Sequence, residues 1–437
     1  LAGLVLATGF FSTTDARTVR LEARPVQSVL EASNRPQRTT IQISVEGLAP
    51  VSVANTVEKA PLNLSLVLDR SGSMSGEKIE NLRRAALDIL DRMGPRDVLS
   101  IVAFDDAVNV ILPATRVTDP ATIRSRILDI QPGGMTALFG GVSKGIAQAR
   151  KFKGEGRSTR LVLVSDGQAN VGPSSVSELA ALGRSAGKEG IPVTTVGLGE
   201  GYNEDLMQQL AQNADGNHDF ARDPSDLARI FDREFGDAQE IVATDLIVKF
   251  RCPDGIRPIR VIDRDATISG QELSIRWNQV AGGQKKILLV EVEVPAGKAG
   301  AQVRLGDATV TAKERATGAA SVEEARAEVA YSADRTVAVA SVDKAAKAAV
   351  VRASANENLK KAISARDAGR KEEAKAILRD NAATLGAAAK ELNAPVLQQD
   401  AVMQEQAASQ VDDESSWGSN RKALRSKQHK VTTQSKE

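Results

Sequence analysis

Hydrophobic and polar positions follow two different periods along this chain, and the change of period divides it into parts. Between Pro61 and Gly236, apolar runs of strand length alternate with stretches whose apolar residues recur at helical spacing. The apolar runs are residues 62–68, 98–104, 161–164 and 192–198, and helices are expected between the first two and near 120–130, 137–152, 174–189, 203–214 and 224–236. This alternation predicts an α/β domain over 61–238, with a doubly wound, mostly parallel sheet covered by helices on both faces.

Segments on both sides of the α/β region follow a period of two. Apolar and polar residues alternate over 19–23 and 41–45, and again over 273–277 and 288–294. Strands with one polar face are typical of antiparallel sheets that expose one face to water. The few strands of 17–60 cannot bury their apolar faces alone, so we expect them to pair with strands of 239–338. The result would be an antiparallel β-sandwich that contains or flanks the α/β domain.

The two ends of the chain have different compositions. Residues 1–16 are apolar through Phe11 and end in small residues, which is typical of a signal-peptide remnant, with a buried first strand as the alternative. We therefore expect a secreted, periplasmic or cell-surface protein without a transmembrane helix in the mature chain. Residues 339–410 are rich in alanine and predict an α-helical region, whereas 411–437 are polar and predict a disordered tail.

Composition limits the possible functions. The 437 residues are 42% hydrophobic, enough for more than one core. With 57 basic and 56 acidic residues the charges nearly cancel, which argues against nucleic acid as a partner. Cys252 is the single cysteine, and His218 and His429 are the only histidines. These numbers exclude an intrachain disulfide and metal sites rich in cysteine or histidine.

Oxygen-bearing side chains follow the predicted strands where these strands end. Asp69, Ser71 and Ser73 come directly after the first buried run, Thr136 lies in a Pro-Gly-Gly-Met-Thr loop, and Asp166 follows a later strand. The carboxyl ends of parallel strands meet at one edge of a sheet, where ligands collect. Carboxylates and hydroxyls without nitrogen or sulfur suit Mg²⁺, with Mn²⁺ or Ca²⁺ as alternatives.

These residues resemble the metal-ion-dependent adhesion site of von Willebrand factor type A domains. The resemblance rests on the Asp-x-Ser-x-Ser motif at 69–73, on Thr136 and on Ser-Asp-Gly at 165–167, and the order of elements over 61–236 fits as well. The wider arrangement is similar to secreted bacterial proteins of the inter-alpha-trypsin inhibitor heavy-chain-like type. The resemblance implies a complete site in which the hydroxyls bind Mg²⁺ directly, and Asp69 and Asp166 bind it directly or through water.

The same resemblance implies a function. An open coordination position would accept a carboxylate from a partner protein, and the helix over 224–236 would shift when this happens. The chain is therefore expected to be a metal-dependent protein-binding or adhesion module and not an enzyme. The alternative is a scaffold or assembly protein in which the metal is mainly structural.

Other motifs compete with this interpretation. Ser75-Gly-Glu-Lys78 matches the Ser-x-x-Lys of penicillin-binding enzymes, but no Lys-Thr-Gly follows, so Ser75 is interpreted as a helix cap. Residues 141–145 match a nucleophile elbow but lie inside a predicted helix. Residues 197–201 lack a Walker lysine and indicate a tight turn. His218 is interpreted as a hydrogen-bonded histidine at the surface or rim of the domain.

Overall fold

A computed structural model describes residues 17–48, 61–154 and 156–434 of the chain. The predicted signal-peptide remnant, residues 1–16, lies outside these described residues. Within the described ranges, no helix combines the length and the apolarity that a membrane span requires.

The described residues form strands and helices that alternate through the middle of the chain. In chain order, the strands are β1 (Val19–Pro25), β2 (Val29–Glu31), β3 (Gln37–Gly47), β4 (Leu62–Asp69), β5 (Val98–Phe104), β6 (Val108–Arg116), β7 (Ser158–Ser165), β8 (Val193–Leu198), β9 (His218–Ala221), β10 (Ile241–Arg251), β11 (Arg257–Val261), β12 (Thr267–Ser269), β13 (Glu272–Ala281), β14 (Lys285–Val294), β15 (Gln302–Glu314) and β16 (Ala320–Ser332). The helices are α1 (Glu77–Arg92), α2 (Pro120–Leu128), α3 (Leu138–Arg150), α4 (Val176–Lys188), α5 (Glu204–Asn213), α6 (Asp226–Gln239), α7 (Arg335–Ala340), α8 (Lys344–Asp367), α9 (Lys371–Leu392), α10 (Pro395–Ser409) and α11 (Glu414–Thr433).

The β-sandwich joins segments from both sides of the α/β domain. One sheet has the order β1-β3-β14-β11 and the other β12-β13-β10-β15-β16-β2. β3 pairs antiparallel with β14, so that Ile43 lies opposite Leu288, and both side chains are fully buried in the interior. The predicted pairing of the early strands with the later β segment is therefore present, and the α/β domain is inserted between β3 and β10.

The α/β domain has the sheet order β6-β5-β4-β7-β8-β9, with all neighbours parallel except β6 and β5. Alternate residues of β4 point to opposite faces of the sheet and belong to two separate hydrophobic cores. Leu66 and Leu68 pack with α1, α2 and α6 on one face, and Val67 packs with α3, α4 and α5 on the other. The predicted doubly wound sheet is confirmed, and the antiparallel edge strand β6 was not predicted because its residues are only partly buried.

The prediction of a disordered tail over 411–437 is wrong for α11. This helix lies against α5 and β9 of the α/β domain and against α8. Its buried side is largely polar, with Lys422, Gln428 and His429 among the buried residues. Lys422 pairs with Glu204 at 3.0 Å, and His429 Nε2 lies 2.9 Å from the carbonyl oxygen of Gly216. A composition low in core formers predicts disorder, but Lys422 and Nε2 of His429 have partners about 200 residues earlier in the chain.

The sandwich contacts the α/β domain at the amino ends of the parallel strands. The backbone N–H of Asn278 in β13 donates to Asp215 at 2.6 Å, and its side-chain amide donates to the carbonyl oxygen of Ala214 at 3.3 Å. These two acceptors lie in the loop that leads into β9. The carboxyl ends of the strands, where the oxygen-bearing residues lie, are consequently at the opposite edge of the domain.

Candidate metal centre

Three loops at the carboxyl edge of the sheet carry the predicted residues. Asp69 ends β4 and is followed by a 3₁₀ turn over Gly72–Met74, whereas Asp166 directly follows β7. Backbone hydrogen bonds tie the first loop to the loop that contains Thr136. Gly133 N donates to Arg70 O at 2.7 Å, and Gly72 N donates to Gly134 O at 3.1 Å.

Side-chain hydrogen bonds connect the first and third loops. Ser73 Oγ donates to Asp166 Oδ1 at 2.7 Å, and the hydroxyls of Ser71 and Ser73 lie 3.1 Å apart. Asp69 Oδ1 accepts the backbone N–H of Ser71 at 2.8 Å, and Asp69 Oδ2 accepts the Ser165 hydroxyl at 2.5 Å. The oxygens of four predicted residues thus lie in one connected group.

Thr136 completes the set from the second loop. Its backbone N–H donates to the Asn170 side-chain oxygen at 2.8 Å, which fixes the loop against the segment after Asp166. A Cβ added at Gly167 would lie 3.0 Å from Thr136 Oγ1 and 3.7 Å from Asp69 Oδ2. Both oxygens therefore border the space that the absent side chain of Gly167 leaves open. All five predicted residues are brought together.

Sequence reasoning missed two residues that contact this group. Ser165 precedes Asp166 in the motif but was given no role, although its hydroxyl donates a hydrogen bond to Asp69. The Lys78 ammonium contacts the Asp166 carboxylate. The interpretation of Ser75 as a helix cap is wrong, because Gly76 occupies that position and the Ser75 hydroxyl donates to Gly72 O at 2.8 Å. The local sequence is compatible with a cap at Ser75, but the Ser75 hydroxyl bonds within the turn that precedes the helix.

The two carboxylates differ in their surroundings. Burial raises the pKa of Asp69 to about 6, although hydrogen bonds from Ser165 and Ser71 offset part of that cost, and Asp166 adds a repulsive charge. Asp69 and Asp166 are both almost completely buried. Among the described residues, no group of three or more His, Cys, Asp or Glu side chains is placed to hold a metal. The candidate site therefore depends on hydroxyls as well as on its two carboxylates.

The raised pKa of Asp69 gives a prediction for the metal-free protein. Because the folded state favours the protonated carboxyl, this contribution to stability is present below the unfolded pKa near 3.8 and is lost as the pH rises through about 6. In EDTA we expect wild type to lose about 2 kcal/mol of unfolding free energy relative to Asp69→Asn between about pH 4 and 7. Urea denaturation across this range measures the difference, and parallel pH profiles for the two proteins would contradict it.

The histidines do not lie near the surface. His218 was interpreted as a surface or rim residue, but it is fully buried, with Nδ1 2.9 Å from the Thr195 hydroxyl. It lies in β9 beneath α11, and the ring of His429 packs edge-on against it at 6.0 Å. The interpretation failed because the covering helix was expected to be disordered. Ser143, the serine of the elbow-like motif, lies within α3 and not at a strand end.

Comparison with known proteins agrees with the fold and the loop positions. Residues 63–233 match the family model for the von Willebrand factor type A domain. This chain contains a von Willebrand factor type A domain. The match begins in β4 and ends in α6, so the type A domain includes all three loops of the candidate site.

Two relatives match the type A domain in sequence. The uncharacterized protein sll0103 of Synechocystis sp. is 34% identical over 177 residues. The match covers 40% of this chain and 41% of the Synechocystis protein. Inter-alpha-trypsin inhibitor heavy chain H3 of Rattus norvegicus is 34% identical over 170 residues, covering 37% of this chain and 19% of its own. The matched segments thus span less than half of each relative.

Two solved structures share the fold over nearly the entire chain. A von Willebrand factor type A protein from Catenulispora acidiphila has a TM-score of 0.70 at 16% identity and covers 90% of this chain and 96% of its own. The ArnB paralog VWA2 from Sulfolobus acidocaldarius has a TM-score of 0.63 at 17% identity, covering 95% of this chain and 98% of its own. The combination of the type A domain with flanking parts is therefore a shared architecture.

Proposed function

We propose that the type A domain binds a divalent metal ion, with Mg²⁺ preferred over Mn²⁺ or Ca²⁺, and captures an acidic side chain of a partner protein. Ser71, Ser73 and Thr136 would hold the ion through their hydroxyls, and Asp69 and Asp166 would bind it directly or through water. When bound, the ion would supply an electrophilic position for the partner's carboxylate. The observation that carries the proposal is the convergence of these oxygens from three loops at one edge.

The composition of the oxygen group supports Mg²⁺ as the resident ion. Mg²⁺ is commonly held by one or two carboxylates and retains other oxygen ligands, whereas Ca²⁺ takes a larger set of oxygens. Here two carboxylates accompany three neutral hydroxyls, so at most two negative charges oppose the two positive charges of the ion. The metal would keep its attraction for an additional anion, which is the property that capture of an acidic side chain needs.

A role in binding is better supported than a purely structural role for the metal. Both carboxylates already have protein partners, since Ser71 and Ser165 bond to Asp69, and Ser73 and Lys78 contact Asp166. The loops are thus connected by the protein's own groups, which supports a binding role for the ion over a purely structural one. Assembly with other chains stays as the second candidate function, and the predicted location outside the cytosol stays a prediction.

Affinity capture from native extract tests the proposed function. The full chain is immobilised and exposed to extract in Mg²⁺ or in EDTA, with Asp69→Asn as the matched variant. We expect partner proteins that are retained by wild type in Mg²⁺ and lost both in EDTA and with the variant. Partners retained equally in all three samples would favour the scaffold function and contradict capture through the metal.

A further inference from the structure

Lys78 places an ammonium group in the oxygen cluster at the carboxyl edge of the sheet. It lies in the first turn of α1, where a cation opposes the helix dipole. Its side chain nevertheless turns toward the site, where Nζ contacts Asp166 Oδ2 and donates to Ser73 O at 3.3 Å. The loop after β8 lies on the other side of the lysine, since a Cβ added at Gly199 would be 3.9 Å from Lys78 Nζ. A protein cation therefore stands beside a carboxylate that is assigned to the metal.

The burial of this pair explains why the contact matters. The Asp166 side chain is 0% exposed and that of Lys78 is 32% exposed. A desolvated carboxylate needs a compensating charge, and the ammonium supplies it without loss of the lysine's own contact with water. A metal ion at the same carboxylate would face the ammonium at close range, and two positive charges so close repel each other strongly.

The net charge of the site shows which state the lysine favours. Two ionised carboxylates and one ammonium sum to −1, and addition of a divalent ion changes the sum to +1. An additional carboxylate from a ligand brings the sum to zero. If Lys78 is removed, the metal-loaded site is already neutral before any acidic ligand arrives. The lysine thus disfavours the metal alone and favours the metal together with an anion.

We propose that Lys78 competes with the metal for Asp166, so that it weakens binding of the ion alone and favours joint binding of the ion and an acidic ligand. This inference rests on the proposed function, because it presumes a metal at this site. Lys78 is a residue that tunes affinity and not a metal ligand. It would make occupancy of the site depend on the presence of the ligand.

The test is calorimetric titration of Mg²⁺ into the metal-free full chain. Lys78→Met removes the charge, Lys78→Gln removes it but retains a hydrogen-bond donor for Asp166, and Lys144→Met is the control. Lys144 is exposed on α3 and makes no ion pair within the described part of the chain. We expect the Lys78 variants to bind Mg²⁺ about tenfold more tightly than wild type, because a close repulsive charge is removed in a region of reduced dielectric. The control should match wild type.

A second titration measures the coupling between metal and anion. Acetate serves as the carboxylate probe and is added to protein at a fixed, subsaturating Mg²⁺ concentration. Acetate should raise the apparent Mg²⁺ affinity of wild type and of the control by a larger factor than that of either Lys78 variant. Thermal stability gives an independent readout, since Mg²⁺ should raise the melting temperature of the variants more than that of wild type.

The outcomes separate this inference from the function on which it rests. If wild type binds no Mg²⁺, the proposed metal site and the role of Lys78 both fail. If wild type binds Mg²⁺ and the folded variants bind it equally or more weakly, only the role of Lys78 is overturned. If the methionine variant does not fold, the glutamine variant decides by the same criterion. Tighter binding in a Lys78 variant, together with weaker acetate coupling, supports the inference.

Discussion

Asp69→Asn should reduce the affinity for Mg²⁺ by at least about 100-fold and leave the fold intact. Loss of a residue that only orients a metal ligand commonly costs 10- to 100-fold, so loss of a charged ligand should cost at least the upper value. Asparagine has nearly the same size as aspartate. Its side-chain oxygen can still accept the backbone N–H of Ser71, which in wild type donates to Asp69 Oδ1 at 2.8 Å. Calorimetric titration measures the affinity, and circular dichroism checks the fold.

The matched control for this prediction is Asp106→Asn. Asp106 is an exposed carboxylate in the loop after β5, close to the same edge of the sheet but outside the proposed ligand set. Its variant should bind Mg²⁺ within a few-fold of wild type. Equal loss of affinity in the two variants would mean that general negative charge and not a defined ligand attracts the ion, and unchanged affinity in Asp69→Asn would refute the assigned site.

Glu234→Gln should destabilise the type A domain by about 3–5 kcal/mol, which is the usual cost of breaking a buried ion pair from one side. Glu234 lies in α6 and is 2% exposed. It pairs with the buried Arg160 and accepts hydrogen bonds from Thr194 Oγ1 at 2.7 Å and Asn217 Nδ2 at 2.6 Å. The variant removes the charge and leaves the Arg160 guanidinium buried without its counter-ion. Urea denaturation and hydrogen exchange in α6 measure the effect.

An exposed ion pair of the same domain provides the control. Glu189 pairs with Arg150 at 2.7 Å, but the two side chains are 30% and 54% exposed, so Glu189→Gln should cost about 0–1 kcal/mol. If Glu234→Gln lowers the unfolding free energy by less than about 1 kcal/mol, the buried pair does not stabilise the packing of α6.

This result bears on the expected shift of the last helix. The resemblance to adhesion domains implies that α6 moves when the metal gains a ligand, but coupling between sites typically amounts to about 1–3 kcal/mol. A shift that separated Glu234 from Arg160 would cost more than that. We therefore expect the type A domain of this chain to bind as a rigid clamp, with any displacement of α6 small enough to preserve this pair.

The sequence predicted those parts of the molecule whose stability is local or periodic. β4 and β5 are mainly apolar and buried along their whole length because both faces of the sheet are covered, and this pattern placed Asp69 and Asp166 at one edge. The sandwich followed from the alternation and from the inability of the early strands to bury their apolar faces alone. Long-range polar contacts have no such signal, which is why the pairing of Lys422 in α11 with Glu204 in α5 could not be predicted.

The role of Lys78 was missed for a related reason. A lysine in the first turn of a helix gives no local signal, and its contact with Asp166 arises only when the start of α1 meets a loop that lies 88 residues later in the chain. Ser165 carried a signal that could have been used, since it lies directly beside Asp166 at the end of a buried strand, where an inward hydroxyl needs a partner. Burial of Asp69 also departs from the exposed position that a strand end suggests.

The position of the sandwich at the amino ends of the strands has a mechanical consequence. The candidate site lies at the carboxyl ends, and β4 and β7 run side by side from one edge to the other in parallel register. A pulling load applied at the site and resisted at the sandwich would therefore run along the strands and shear many ladder hydrogen bonds at once. It would not peel them apart in sequence. Such a geometry should withstand tension at the site far better than tension applied across the sheet.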